Sequence, residues 1–143
     1  MDRKKILVID DEPDVLTFLT TFLEDCGFET CTALNGEEGW EKIIKERPDL
    51  ICLDILMPRK TGVKLYGQIR KDKNLRKIPV IIITGLGPSQ YAACEFKKFI
   101  HQRSAVPPPD GYLEKPIDRE TLFKTITQIL ERQTSCASVA NSQ

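Results

Sequence analysis

The chain has 143 residues, enough for one domain to close a hydrophobic core without disulfides or a structural metal. Its 21 basic and 21 acidic residues cancel, and no basic stripe interleaved with aromatics appears, so nothing in the charge favours nucleic acid. The five cysteines, at 26, 31, 52, 94 and 136, lack paired spacing and read as free thiols in a reducing compartment. The apolar run behind the basic start MDRKK is too short for a signal peptide or a membrane span, so a cytoplasmic protein without a membrane partner is expected.

In chain order, Ile6 to Ile9 is a continuous apolar run, the pattern of a strand buried on both faces of a parallel sheet, and it runs straight into Asp10, Asp11 and Glu12. Val15, Leu16, Phe18, Leu19, Phe22, Leu23 and Cys26 follow helical spacing, with Pro13 in the first turn and Gly27 at the C-terminal stop. A weaker strand follows over Phe28 to Leu34. The next helix is expected over Glu37 to Glu46, with Trp40, Ile43 and Ile44 inward and Pro48 beyond its end. Leu50 to Leu53 reads as a third buried strand, and Val63 to Lys71 as a helix carrying Leu65, Tyr66 and Ile69, weakened by Gly67. Val80 to Ile83 is the fourth strand.

From Thr84 to Lys115 the pattern is poorer. Ser89 is a capping candidate for a helix over Gln90 to His101, the run from Val106 through three prolines to Gly111 must be irregular, and Gly111 to Leu113 is a short fifth strand. Asp118 is placed to cap a last helix running to about Arg132, with Leu122, Phe123, Ile126, Ile129 and Leu130 on one face. The polar residues 134–143 lack periodicity and are expected to be a disordered tail, leaving 1–133 as the domain. Strand and helix alternate throughout, which predicts an α/β fold: a doubly wound, five-stranded parallel sheet with helices on both faces.

In such sheets ligands bind beyond the carboxyl ends of the strands. The residues ending the apolar runs are Asp10 and Asp11, Asp54, Thr84, and, after the fifth, Lys115 followed by Pro116. Each alone has an ordinary reading as a cap, turn residue or solvated charge. Together they bring three carboxylates, a hydroxyl and one ammonium to one edge. That deficit of positive charge suits an oxygen-loving divalent cation, and Mg2+ takes a few carboxylates plus waters. One carboxylate can then act as nucleophile toward a phosphoryl group.

IDDEP at 9–13, LDILMP at 53–58, IIITG at 81–85 and YLEKP at 112–116 resemble the receiver domain of bacterial two-component response regulators, over roughly residues 4 to 132. The resemblance implies a flavodoxin-like sheet of order 2-1-3-4-5. It implies Asp54 as phosphoacceptor, Asp11 and Asp54 as direct Mg2+ ligands, Asp10 acting largely through water, and the backbone carbonyl of Leu56 as a further ligand. Thr84 and Lys115 would contact the phosphoryl group, and Tyr112 stands where the family's switch aromatic couples to the threonine. The implied partners are a sensor histidine kinase or histidine phosphotransfer protein and a downstream protein target, for a stand-alone switch that is not an enzyme beyond its own phosphoryl transfer and autodephosphorylation. Leu56 and Leu86 occupy the positions flanking the site, and neither can orient water, so slow loss of the phosphoryl group is expected.

The sequence departs from the family in its longer interval between Thr84 and Lys115, in PPPDG before the fifth strand, and in Gly39 and Trp40. An aspartyl-nucleophile phosphatase, which wants a D-x-D strand end, and an interaction module without phosphorylation are the competing readings. Cys26 and Cys31 without a second pair do not make a zinc site, and the single histidine, His101, and the basic stretch Lys97, Lys98 and Arg103 read as surface.

Overall fold

A computed structural model describes residues 3–55, 61–84 and 109–141, with residues 61 and 134–141 described by their backbone alone. The helix expected over Gln90 to His101 lies outside the described residues, as do Leu56 and Leu86. The elements are β1 (Lys5–Ile9), α1 (Pro13–Asp25), β2 (Glu29–Ala33), α2 (Gly36–Glu46), β3 (Leu50–Asp54), α3 (Thr61–Lys71), β4 (Val80–Thr84), β5 (Gly111–Glu114) and α4 (Arg119–Asn141). All strand pairs are parallel and the sheet order is β2-β1-β3-β4-β5, as the alternation and the resemblance predicted.

Strand side chains alternate between faces, and here both faces are covered. Leu7, Ile9, Ile51, Leu53, Val80 and Ile82 pack with Ile43 of α2 and Leu65, Tyr66 and Ile69 of α3. Ile6, Val8, Leu50, Cys52, Ile81, Ile83 and Leu113 pack on the other side with Leu16, Leu19 and Leu23 of α1 and Leu122, Ile126 and Ile129 of α4. That double burial is why β1, β3 and β4 are apolar without alternation. β2 lies at the edge, and its sequence ETCTA is correspondingly polar and half-exposed.

The caps explain where helices stop. Gly27, at φ +97, takes the left-handed conformation after α1, where its N–H donates to the Glu24 carbonyl (3.0 Å) and that of Phe28 to the Leu23 carbonyl (3.1 Å). The Asn35 side chain accepts from the Glu38 N–H at 2.9 Å and starts α2. Asp118 caps α4 as expected, accepting from the Thr121 N–H at 2.9 Å and its hydroxyl at 2.6 Å.

Several expectations differ: Phe18 of α1 and Phe123 of α4, counted with the apolar faces of their helices, are 44% and 39% exposed. Ile44 faces solvent, because Ile43 already fills the α2 contact with the sheet and its neighbour is turned about 100° round the helix. The helix α4 runs on to Asn141, through the residues expected to form a disordered tail from 134. No glycine or proline interrupts 119–141, and extending a helix already nucleated by its apolar face is far less costly than starting one.

Candidate phosphoacceptor site

The edge at the carboxyl ends of β1, β3, β4 and β5 brings the strand-ending polar residues together. Ile9 is level with Leu53, and the Asp10 N–H donates to the Ala33 carbonyl at 3.1 Å, so β1 pairing continues one residue further and Asp10 stands level with Asp54. On the far side, the Lys115 N–H donates to the Thr84 carbonyl at 2.7 Å and carries β5 pairing past Glu114, two residues beyond the level of Asp54 and Leu113 and on the same face as both. Alternation along each strand then directs Asp10, Asp54 and Lys115 to the α1 and α4 side. Thr84 falls on the other side, with Tyr112, whose register partner is Ile82.

Asp10 and Asp54 are 1% and 2% exposed. The Lys115 ammonium lies 2.8 Å from Asp10 Oδ2, 3.4 Å from Asp54 Oδ2 and 3.8 Å from Glu12 Oε1. Asp10 Oδ1 accepts from the Glu12 N–H at 2.9 Å. Burial opposes the charge on Lys115, but the contact with Asp10 and the negative charges of Asp54, Asp10 and Glu12 outweigh it and hold the ammonium above the ordinary lysine range. Two buried carboxylates therefore share one ammonium, and buried charge without compensation is costly.

The residues fit a hard divalent cation. Asp10 Oδ2 is fully buried and has no aligned hydrogen bond among the described residues, the short Lys115 contact being an ion pair off the hydrogen-bonding direction. Carboxylate oxygens of Asp10, Asp11 and Glu12 lie within 4.8 Å of one another, and Asp11 and Glu12 are exposed. An all-oxygen donor set beside exposed positions open to water suits Mg2+.

Of the residues singled out from sequence, Asp10, Asp11, Asp54, Thr84 and Lys115 gather at one sheet edge. Thr84 is buried, whereas Tyr112 is 47% exposed on the same side of the sheet. Leu56 lies outside the described residues. Glu12, seen in the sequence as the third acid after β1, was not named among the metal-binding residues, although its carboxylate lies with those of Asp10 and Asp11. Cys52, below Asp54 in β3, is fully buried, and its thiol is pushed up to about 12 by that burial, so it is no nucleophile. Cys26, Cys31 and Cys52 are all free.

Gly62, in the first turn of α3, was also missed. A Cβ there would fall on the carbonyl oxygen of Asp54 and within 3.0 Å of Ile55 Cα, so α3 rests directly on the backbone that carries the buried carboxylate. Gly62→Ala is expected to destabilise the fold by about 1–3 kcal/mol, since backbone cannot give way as a side chain can. A urea titration checks this, and unchanged stability would mean that α3 is not seated as described.

An open parallel sheet of this order, tipped by acids at β1 and β3 and by lysine after β5, defines a class of signalling domain. The response regulator receiver domain family matches residues 6–127. Protein PilH of Pseudomonas aeruginosa is 36% identical over 126 residues, covering 88% of this chain and 97% of PilH. The transcriptional regulatory protein PhoP of Bacillus subtilis is 33% identical, covering 91% of this chain but 50% of PhoP. The chain thus spans nearly all of one relative and about half the length of the transcriptional regulators it matches. Among solved structures, a CheY-like receiver domain protein from Methanospirillum hungatei superposes with a TM-score of 0.79 at 29% identity, covering 94% of this chain and 98% of that one. The chemotaxis protein CheY4 of Vibrio cholerae gives 0.75 at 30% identity, covering 89% and 98%. The chain belongs to the response regulator receiver domain family of two-component signalling.

Proposed function

We propose that the protein is a phosphorylation-controlled switch in a two-component phosphorelay, taking a phosphoryl group from a phosphohistidine donor onto Asp54. The observation that carries this reading is the Lys115 ammonium held between two buried carboxylates, Asp10 and Asp54, at the ligand-binding edge of the sheet. An Asp54 carboxylate oxygen forms the bond to phosphorus as the bond from phosphorus to the donor imidazole nitrogen breaks, and the imidazole leaves with the electron pair. In this reading Lys115 neutralises phosphoryl oxygens and the Thr84 hydroxyl, at the end of β4, donates to one of them. Asp11 and Asp54 would hold Mg2+ directly, Asp10 through water, with the Leu56 carbonyl completing the protein ligands. Bound there, the ion supplies positive charge for the phosphoryl oxygens.

The donor is a sensor histidine kinase or a histidine phosphotransfer protein, and output is by non-covalent contact of an altered surface with a protein target in the cytoplasm. Thr84 and Tyr112 share one side of the sheet two residues apart in register, which suits a switch in which the threonine, drawn toward the phosphoryl group, lets the tyrosine move inward. Beyond its own phosphorylation and dephosphorylation the protein catalyses nothing.

Incubation with Mg2+ and a small acyl phosphate, followed by intact mass and peptide mapping, should show one phosphoryl adduct, on Asp54, absent from Asp54→Asn. Absence of an adduct under conditions that label a control receiver would overturn the reading. The adduct should decay slowly, because Leu56 and Leu86 cannot hold an attacking water in line. Leu56→Asn is expected to speed decay several-fold in a timed loss of phosphoryl from purified phosphoprotein.

A further inference from the structure

Among the described residues the buried polar and charged side chains are Asp10, Asp54 and Thr84 of the site, and Arg70, near the end of α3. The Arg70 side chain is 5% exposed, yet every guanidinium nitrogen is engaged. Nε donates to the Tyr66 hydroxyl at 3.1 Å. Nη1 donates to the carbonyls of Arg76 (2.8 Å) and Ile78 (3.0 Å), on the path into β4, and Nη2 to Asp110 Oδ2 at 2.8 Å. Asp110 brackets the first residue of β4, accepting from the Val80 N–H at 2.8 Å and donating its own N–H to the Val80 carbonyl at 2.9 Å. One guanidinium therefore ties the approach to β4 to the residue from which β5 starts, and opposes sliding of one strand along the other.

Apolar burial specifies the register of β5 only weakly. The strand lies at the edge of the sheet and pairs with β4 alone, and of Gly111, Tyr112, Leu113 and Glu114 only Leu113 is buried. Register is firmly set where a whole face is buried and loosely where it is not. Three prolines precede Asp110 in the sequence, and proline has no N–H, so Asp110 is the first residue on that approach able to donate to β4. At the other end of the strand the Lys115 N–H donates to the Thr84 carbonyl at 2.7 Å, and its ammonium lies 2.8 Å from Asp10 and 3.4 Å from Asp54. A slip of one residue would turn Lys115 to the opposite face, and a slip of two would carry it ~7 Å along the strand from its place beside the carboxylates.

We propose that Arg70 is a positioning residue for Lys115: by holding Asp110 against Val80 it fixes the register of β5, and that register sets the ammonium beside Asp10 and Asp54. Each link is a hydrogen bond or a strand pairing, from Arg70 to Asp110, from Asp110 to Val80, along Gly111 to Glu114 paired with Ile81 to Thr84, and from Lys115 to Thr84. The placement of Lys115 stands on these contacts, and only its consequence for phosphoryl transfer rests on the proposed function.

The test is NMR of the lysine ammonium groups in the metal-free protein at mildly acid pH, with the Lys115 signal assigned by its loss in Lys115→Arg. An ammonium held by two buried carboxylates should stand apart from those of exposed lysines. Arg70→Lys, which keeps the charge but not the fork of donors, should shift the Lys115 signal toward the exposed group. Asp110→Ala, which also releases the Val80 N–H, should shift it in the same direction at least as far. The double variant should match Asp110→Ala alone, because both changes act on one path. Leu23→Ala, in the helix that packs on β1 and β2, lowers stability by opening a cavity and should leave the signal in place. A merely structural arginine would behave as Leu23 does. A Lys115 signal at its wild-type position in the folded Arg70→Lys and Asp110→Ala variants therefore overturns the proposal, as do an equal shift in Leu23→Ala and additive shifts in the double. Labelling of Asp54 by a small acyl phosphate should in turn be several-fold slower in Arg70→Lys than in wild type. If wild type takes no label the proposed function falls, while the metal-free spectra still decide the role of Arg70.

Discussion

Lys115→Met should lower the stability of the metal-free protein by about 3–5 kcal/mol, the range for removing one partner of a buried ion pair. Asp10 and Asp54, buried at the edge of the sheet, would lose the cation that lies 2.8 and 3.4 Å away. Millimolar Mg2+ should return much of that loss, since it brings positive charge to the same oxygens. Wild type should also melt higher with Mg2+, by mass action on a site present only in the folded state, about 2.7 kcal/mol at a hundredfold excess over Kd. Asp54→Asn should change both the starting stability and the response, because it relieves repulsion while removing a ligand. Melts of wild type that coincide with and without Mg2+ would show that the acids do not form a metal site. The pH dependence has a definite sign. The Lys115 pKa is raised above the ordinary 10.5, so its contribution is fully present below that value and is lost as pH rises through the folded-state value. The stability gap between wild type and Lys115→Met should therefore be constant near neutrality and close at strongly alkaline pH, read from urea titrations at a series of pH values.

Arg70→Met is the second large effect, a loss of about 3 kcal/mol in a urea titration. The methionine fills most of the arginine stem but leaves the carbonyls of Arg76 and Ile78 without their donor and Asp110 without its cation. The loss stays toward the lower end of the buried-pair range because the Asp110 side chain is 39% exposed and water can take over part of its solvation. Asp110→Asn should cost less than Arg70→Met, since the amide oxygen still accepts from the Val80 N–H and the arginine keeps its other bonds. Equal losses in the two variants would mean that the ion pair, rather than the set of carbonyl bonds, is what Arg70 contributes.

What the chain determined by itself is whatever depends on neighbours along it. Ile6 to Ile9, Leu50 to Leu53 and Val80 to Ile83 specify doubly buried strands because an unbroken β-branched and leucine run has nowhere else to go, and the residue after each run is then obliged to stand at the sheet edge. Asp10, Asp54 and Thr84 were legible for that reason, as were Gly27 and Asp118 at helix ends, where one backbone conformation or one side-chain acceptor decides the boundary. Only the tertiary structure decided the rest. It separated the adjacent Asp10 and Asp11 into a buried and an exposed carboxylate, because the β1 pairing with Ala33 extends through the first and stops before the second. It joined Lys115 to Asp54 across 61 residues and Arg70 to Asp110 across 40. It set Gly62 against the backbone of Asp54, and it turned Ile44 outward while its equally apolar neighbour went in. Periodicity records which face of an element is apolar, whereas an ion pair or a close backbone approach is set by where two elements meet, and no local pattern of residues carries that distance.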